Sequence, residues 1–251
     1  MNQTIKEKLM ELTTISLAAM NSVRLMNRVD TKFVAPRRQL IPFLERLREN
    51  YLVQEIEGRR LSSYKTLYFD TPDKQMYLAH QDGKLTRRKV RMREYVGSDL
   101  YFFEIKNKNN HGRTKKTRKP LEQWGAYQNE EIYRFLRQDA RYEMEELRPH
   151  LQNAFDRITL VNRQMTERLT IDLNLRFRNL ENGCEQKLEN VIIIELKQDG
   201  LSASHSRTCL RDMRIHPMGF SKYCIGSALT NPDLKQNNFK DRLRTVAKLS
   251  R

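Results

Sequence analysis

Five stretches of this chain carry a charged or polar side chain at every second position, and that alternation limits the fold more than any other feature. In an extended strand, successive side chains point to opposite faces. Arg87, Lys89, Arg91 and Arg93 therefore share one face, with Val90 and Met92 on the other. Arg28, Asp30 and Lys32 oppose Val29 and Phe33, and Glu104 and Lys106 oppose Phe103 and Ile105. Arg168, Thr170, Asp172 and Asn174 oppose Leu169, Ile171, Leu173 and Leu175, and Glu195 and Lys197 oppose Ile194 and Leu196. A sheet with one core face and one wet face has this look. Two details argue for more. Within these stretches an acid stands two residues before a lysine three times (Asp30 before Lys32, Glu104 before Lys106, Glu195 before Lys197), which sets a metal-binding oxygen beside a phosphate-binding cation. The row from Arg87 to Arg93 also spaces four like charges ~7 Å apart. Such a row repels itself unless an anion lies along it, and arginine suits forked phosphate contacts.

A sheet that curls until these faces point inward becomes a barrel with a polar tunnel, and its apolar outer face then needs helices over it. The chain supplies them. Residues 36–50 carry Leu40, Phe43, Leu44 and Leu47 at helical spacing, as Ile5, Leu9, Leu12 and Ile15 do near the start. Residues 129–151, rich in Glu, Arg and Leu without glycine, and residues 201–213 also read as helical. Strands are expected at 27–35, 63–69, 86–96, 100–108, 113–119, 155–166, 168–177 and 190–197, and a helical turn at 73–80. Strands on both sides of a helical insert predict one α+β domain, an antiparallel β-barrel tunnel with a charged interior covered outside by helices. The expected divisions are an N-terminal helix over 1–26, the tunnel domain over 27–229 and a basic tail or helix over 230–251.

Charge narrows the partner. With 47 Lys and Arg against 31 Asp and Glu, the net charge is +16, which calls for a polyanion. Nucleic acid is the poorer match, because the cations lie on strands mixed with acids and no aromatic stacking platform alternates with them. Three cysteines, Cys184, Cys209 and Cys224, at no metal-like spacing suit a reduced, cytoplasmic setting. No stretch approaches the ~20 apolar residues of a membrane helix.

The motifs Asp30-Thr31-Lys32, Leu67-Tyr68-Phe69-Asp70, Lys89-Val90-Arg91-Met92-Arg93, Glu104-Ile105-Lys106, Asn162-Arg163, Arg168-Leu169-Thr170-Ile171-Asp172, Glu195-Leu196-Lys197 and Gly219-Phe220-Ser221-Lys222-Tyr223 follow one another in order. Together they resemble the polyphosphate polymerase domain of the vacuolar transporter chaperone (VTC) family, a branch of the triphosphate tunnel metalloenzymes. The resemblance covers roughly residues 27–228. It implies transfer of the γ-phosphoryl group of ATP to a growing inorganic polyphosphate chain, with Mn²⁺ or Mg²⁺. It implies catalytic phosphate contacts from Lys32, Arg91, Arg93, Lys106, Arg163 and Arg168. Substrate contacts would come from Lys89, Lys116, Lys197, Ser221 and Lys222, with Glu195 on the metal assisted by Glu104. The wider superfamily opens with Glu-x-Glu-x-Lys, whereas this chain has Arg28, Asp30 and Lys32, which fits the polymerase branch better than a two-metal triphosphatase. The chain is expected to act alone or with a membrane channel that is a separate polypeptide. The competing readings are a hydrolase of inorganic or nucleoside triphosphate on the same barrel, and a polyphosphate binder without catalysis.

Overall fold

A computed structural model describes residues 3–20, 28–200 and 203–250. Eleven strands join in one sheet. The chain runs α1 (Gln3–Met10), β1 (Thr14–Ser16), α2 (Leu17–Met20), β2 (Arg28–Pro36), α3 (Leu40–Leu47), β3 (Tyr51–Glu55), β4 (Ser62–Asp70) and α4 (Gln75–Gln81). There follow β5 (Arg87–Tyr95), β6 (Leu100–Lys108), β7 (Thr114–Leu121), α5 (Glu130–Ala140), β8 (Arg148–Asn162), β9 (Glu167–Asn179), β10 (Glu185–Leu188) and β11 (Val191–Asp199). Three helices end the chain: α6 (His205–Asp212), α7 (Lys222–Thr230) and α8 (Lys240–Leu249).

Hydrogen-bonded neighbours follow the order β2-β11-β9-β8-β4-β5-β6-β7, with β10 on β9 and β3 on β8. All these pairs are antiparallel; β1 joins β3 in parallel. The first half of the chain supplies both ends of this path and the second half its centre, so the sheet forms only when the halves meet. Five strand spacings separate β2 from β5, about 24 Å in a flat sheet. Lys89 on β5 nonetheless feels the charge of Lys32 on β2, and Lys106 on β6 that of Glu195 on β11. The sheet is therefore strongly curled. It is not closed by hydrogen bonds, because the path ends at β2 and β7. The free edge of β2 is instead met by the chain before α7, where Met218 N donates to Lys32 O at 2.8 Å.

Period-two alternation sorts the two faces as expected. Phe33, Ile192, Ile194, Leu196, Leu169, Ile171, Leu173, Ile158 and Leu160 form an outer core under α1, α3 and α6. Val90, Met92, Phe103, Ile105, Leu67 and Phe69 form another under α5, whose Ile132, Phe135, Leu136 and Ala140 face them. Asn129 caps α5 by accepting from Ile132 N at 3.0 Å, and Glu130 and Glu131 in its first turn complement the helix dipole.

Several expectations change. The 129–151 helix stops at Ala140, where Arg141 turns left-handed (φ 55°), and residues from Arg148 onward enter β8. Pro149 is absorbed there at an irregularity opposite Phe69, a setting that spares the missing N–H. The N-terminal helix ends at Met10, with β1 and α2 after it; residues 21–27 and 201–202 lie outside the described residues. β3 and β10 were not anticipated. The most consequential change is in β9. Asn174 takes φ 53°, and the register slips by one residue between Leu173 and Arg176. This bulge exchanges the faces. Beyond it Leu175 and Phe177 point inward, so Leu175 does not join Leu169, Ile171 and Leu173.

The interior therefore has two zones. One is charged. The other is apolar, built by Val34, Val191, Ile193, Leu175, Phe177, Leu151 and Phe155, and α7 packs into it through Tyr223, Cys224 and Ile225. A Cβ on Gly226 would stand 2.4 Å from a ring carbon of Phe177, so only glycine permits this approach. α8 packs beside β2, and Phe239 just before it lies against Tyr77 of α4 at 5.9 Å between ring centres.

Candidate active site

The charged zone is built in cross-strand columns. Lys32 faces Glu195 across β2 and β11, and Asp30 faces Lys197, which faces Arg168 on β9. Asp172 faces Arg157 across β9 and β8. On the opposite wall Arg91 faces Glu104, Lys89 faces Lys106, and Lys106 faces Lys116 on β7. Every one of these residues lies on the face that alternation assigns to the interior.

Glu195, Asp172 and Glu104 each sit between two cations. Lys32 Nζ donates to Glu195 at 2.6 Å, and Lys197 pairs with the other oxygen. Arg157 grips Asp172 with two parallel hydrogen bonds of 2.6 and 2.8 Å, and Lys222 at the start of α7 pairs with the same group. Glu104, with no solvent exposure, accepts from Arg91 Nε at 2.7 Å and pairs with Lys116. Burial alone would raise all three acids. The paired cations outweigh it and hold Glu195 and Glu104 well below the usual carboxylate range and Asp172 at about 2. Metal or no metal, these groups remain ionised.

The cations remain in excess. Arg91 and Arg93 are each 7% exposed, and among the described residues Arg93 has only Thr66 Oγ1 at 3.2 Å as a side-chain hydrogen-bond acceptor. Burial and Arg91 push the Arg93 guanidinium down. The Lys106 ammonium is driven far below an ordinary lysine, by Arg91 first and burial second. Burial lowers Lys89, Lys116, Lys197 and Lys222 as well. Tyr68 registers the same field. Burial would raise its phenol, yet Arg91, Arg93, Lys222 and Lys89 pull it net below its ordinary value. At the start of α7, Ser221 Oγ caps the helix, accepting from Cys224 N, and also accepts from Lys89 Nζ at 2.9 Å. The helix N-terminus thus meets the cationic wall, which adds backbone N–H groups and a favourable dipole for an anion.

The sequence model of one family, the VTC domain, matches residues 27–231. This chain belongs to the VTC-domain family. Its fold is shared with triphosphate tunnel proteins. A Bacillus halodurans protein provisionally named an adenylate cyclase gives a TM-score of 0.50 at 18% identity, over 78% of this chain and 96% of its own. A Hippeastrum protein, also provisionally named an adenylyl cyclase and described as having a dominant triphosphatase activity, gives 0.50 at 14% identity, over 84% and 100%. At such identities the likeness carries the fold alone. No curated protein sequence matches.

Of the residues singled out from sequence, this VTC domain brings Lys32, Lys89, Arg91, Arg93, Glu104, Lys106, Lys116, Arg168, Glu195, Lys197, Ser221 and Lys222 to the interior wall. Arg163 is not brought in. It lies past the end of β8, exposed, with its guanidinium on Glu49 O at 2.8 Å and on Thr13 Oγ1 at 3.3 Å. Arg157 and Tyr68 belong to the wall and were missed. Applying the alternation to β8 and β4, as to the other strands, would have found both. Among the described residues no three His, Cys, Asp or Glu side chains converge on one point. Both Glu195 oxygens are paired, to Lys32 and Lys197, so a hard divalent ion there would displace a lysine and draw its remaining ligands from Asp30, water and phosphate oxygens.

Proposed function

We propose that this VTC domain is a metal-assisted ATP–polyphosphate phosphotransferase. The observation that carries this reading is the pairing of Glu195, Asp172 and Glu104, each held between two cations. Glu104, Asp172 and Glu195 are held ionised far below neutral pH, so each is a weak proton acceptor. Water attacking a phosphoryl group gains from such an acceptor. The terminal oxygen of a phosphate chain is already an anion and needs none. In the step proposed, that oxygen bonds to the γ-phosphorus of ATP, the bond from the γ-phosphorus to the β,γ-bridging oxygen breaks, and ADP leaves with the electron pair. The demand on the protein is alignment and neutralisation of charge.

Arg91 and Arg93 are placed to spread over the transferring phosphate, with Lys106 and Lys116 beside them. Lys222, Ser221 and the start of α7 orient phosphate oxygens on the opposite side, and Lys32, Lys197 and Arg168 hold the remaining negative charge. Glu195, with Asp30, would hold Mn²⁺ or Mg²⁺, which would supply neutralisation of phosphate charge.

A second reading is hydrolysis of tripolyphosphate or a nucleoside triphosphate on the same wall. It is favoured by α7, which fills one zone of the interior and narrows the way out for a long product. The activity described for the Hippeastrum relative is of this kind. Incubation with ATP and Mn²⁺, followed by gel staining for polyphosphate and assay of orthophosphate, separates the two. Chains accumulating with ADP support transfer. Orthophosphate without chains would sink it.

A further inference from the structure

The inner row of β5 does not end at Lys89. Arg87 continues it on the same face and stands directly opposite Lys108 at the end of β6. From Arg93 to Arg87 the row covers about 20 Å, further than a triphosphate reaches. At this end the rim is completed by residues outside the sheet. His80 of α4 meets the ring of Phe239 edge-on at 5.9 Å, and the Arg242 guanidinium of α8 lies over the same ring at 5.8 Å. Arg242 also packs 3.9 Å from the position a Cβ on Gly219 would take, two residues before Ser221. α8 is anchored there by buried Phe239 and Val246 and by Asn238 Nδ2 donating to Gln81 O at 2.8 Å.

Arg87, Lys89, Lys108 and Arg242 have no carboxylate partner within salt-bridge distance among the described residues. The acids nearest in sequence are committed elsewhere, Asp82 to Lys235 at 2.8 Å and Asp241 to Arg244 at 3.6 Å. His80 Nδ1 is buried without a hydrogen-bond partner. Burial, then Lys89, Arg87, Arg242 and Lys108, hold this imidazole neutral, down to about 2. Four cations and an unpaired imidazole nitrogen converge beside the start of α7. Arg242 lies beyond residues 27–231, so this rim joins the family domain to a segment outside it.

We propose that this rim is a second anion seat, formed by Arg87, Lys108, His80 and Arg242, which holds the part of a linear polyphosphate chain that extends past the three phosphates bound inside. The proposal rests on the interior binding phosphates, and it makes the C-terminal helix a determinant of chain length.

The test compares binding of tripolyphosphate and long-chain polyphosphate to the full chain and to the variant carrying Arg87→Gln with Arg242→Gln. Each removed charge-assisted contact is expected to cost about tenfold. The variant should therefore lose on the order of a hundredfold for the long chain and stay within about twofold for tripolyphosphate, which also reports that the fold is intact. Histidine NMR should show the His80 titration moving upward with the long chain and not with tripolyphosphate. Equal loss for both ligands, or an unchanged long-chain affinity, would overturn the seat. If the unaltered chain binds neither ligand, both the seat and the interior reading fall. Long-chain binding lost in the variant, with no tripolyphosphate binding in either protein, keeps the seat and removes the interior reading.

Discussion

The two walls of the interior use the same side chains in opposite ways. On the β2–β11–β9–β8 wall, Glu195 and Asp172 each sit between two cations, and Asp30 stands beside Lys197. That wall is nearly neutralised by its own acids. On the β5–β6–β7 wall, Lys89, Arg91, Arg93, Lys106 and Lys116 share the single carboxylate of Glu104. Buried like charges at strand spacing are costly, so that wall is the one whose energy falls most when an anion arrives. The lesson is a division of work. One wall carries its own counter-charges, the other keeps its cations in excess.

That division breaks if substitutions on the two walls cost the same. Arg91→Gln and Arg93→Gln are each expected to lower kcat/KM for ATP by 10²–10³, against about tenfold for Lys197→Gln. Steady-state kinetics at saturating Mn²⁺ decides it, and equal losses would end the distinction. Glu104→Gln comes next. It leaves Arg91 and Lys116 unpaired and should cost about 3 kcal/mol of stability. Thermal melts should show tripolyphosphate restoring more of the loss than it adds to the unaltered chain. Glu195→Gln, by contrast, should leave anion affinity intact while turnover is lost.

Gly226→Ala probes the neutralised wall through α7. The added methyl meets Phe177 and Leu151, and an overpacked core costs about 2 kcal/mol. Lys222 shifts with its helix, so KM should rise with the fall in melting temperature. The smallest effect is one of pH. Lys106 is lowered in the free protein, and a bound polyanion favours its charged form. Binding then takes up a proton at any pH between the two pKa values. Affinity is full below the free-state value and falls as pH rises through the window, by at most about tenfold per unit. Calorimetry in buffers of different ionisation enthalpy measures the uptake, and Lys106→Met should abolish it.

The site was legible wherever a strand ran unbroken. Lys32, Arg91, Lys106 and Glu195 fall on one face because side chains alternate with period two, a property of the extended backbone that no tertiary contact alters. Arg163 escaped the rule because β8 has ended before it, and a loop residue has no face. The helix expected through 151 failed for a related reason. Composition favours helix from 129 onward, but pairing of Arg148 to Leu151 with β4 and β9 overrides a weak local preference.

The sequence alone thus determined which residues share a face wherever a strand runs unbroken, and that amphipathic helices must cover the apolar one. Tertiary structure decided how far the charged face extends. The bulge at Asn174 turns β9 over halfway along, so the interior becomes apolar where α7 enters. It also decided which wall keeps unpaired charge, because strand order sets which acids stand beside which cations. Alternation is local geometry carried by every residue, whereas strand order and the seat of α7 follow from packing between segments far apart in the chain.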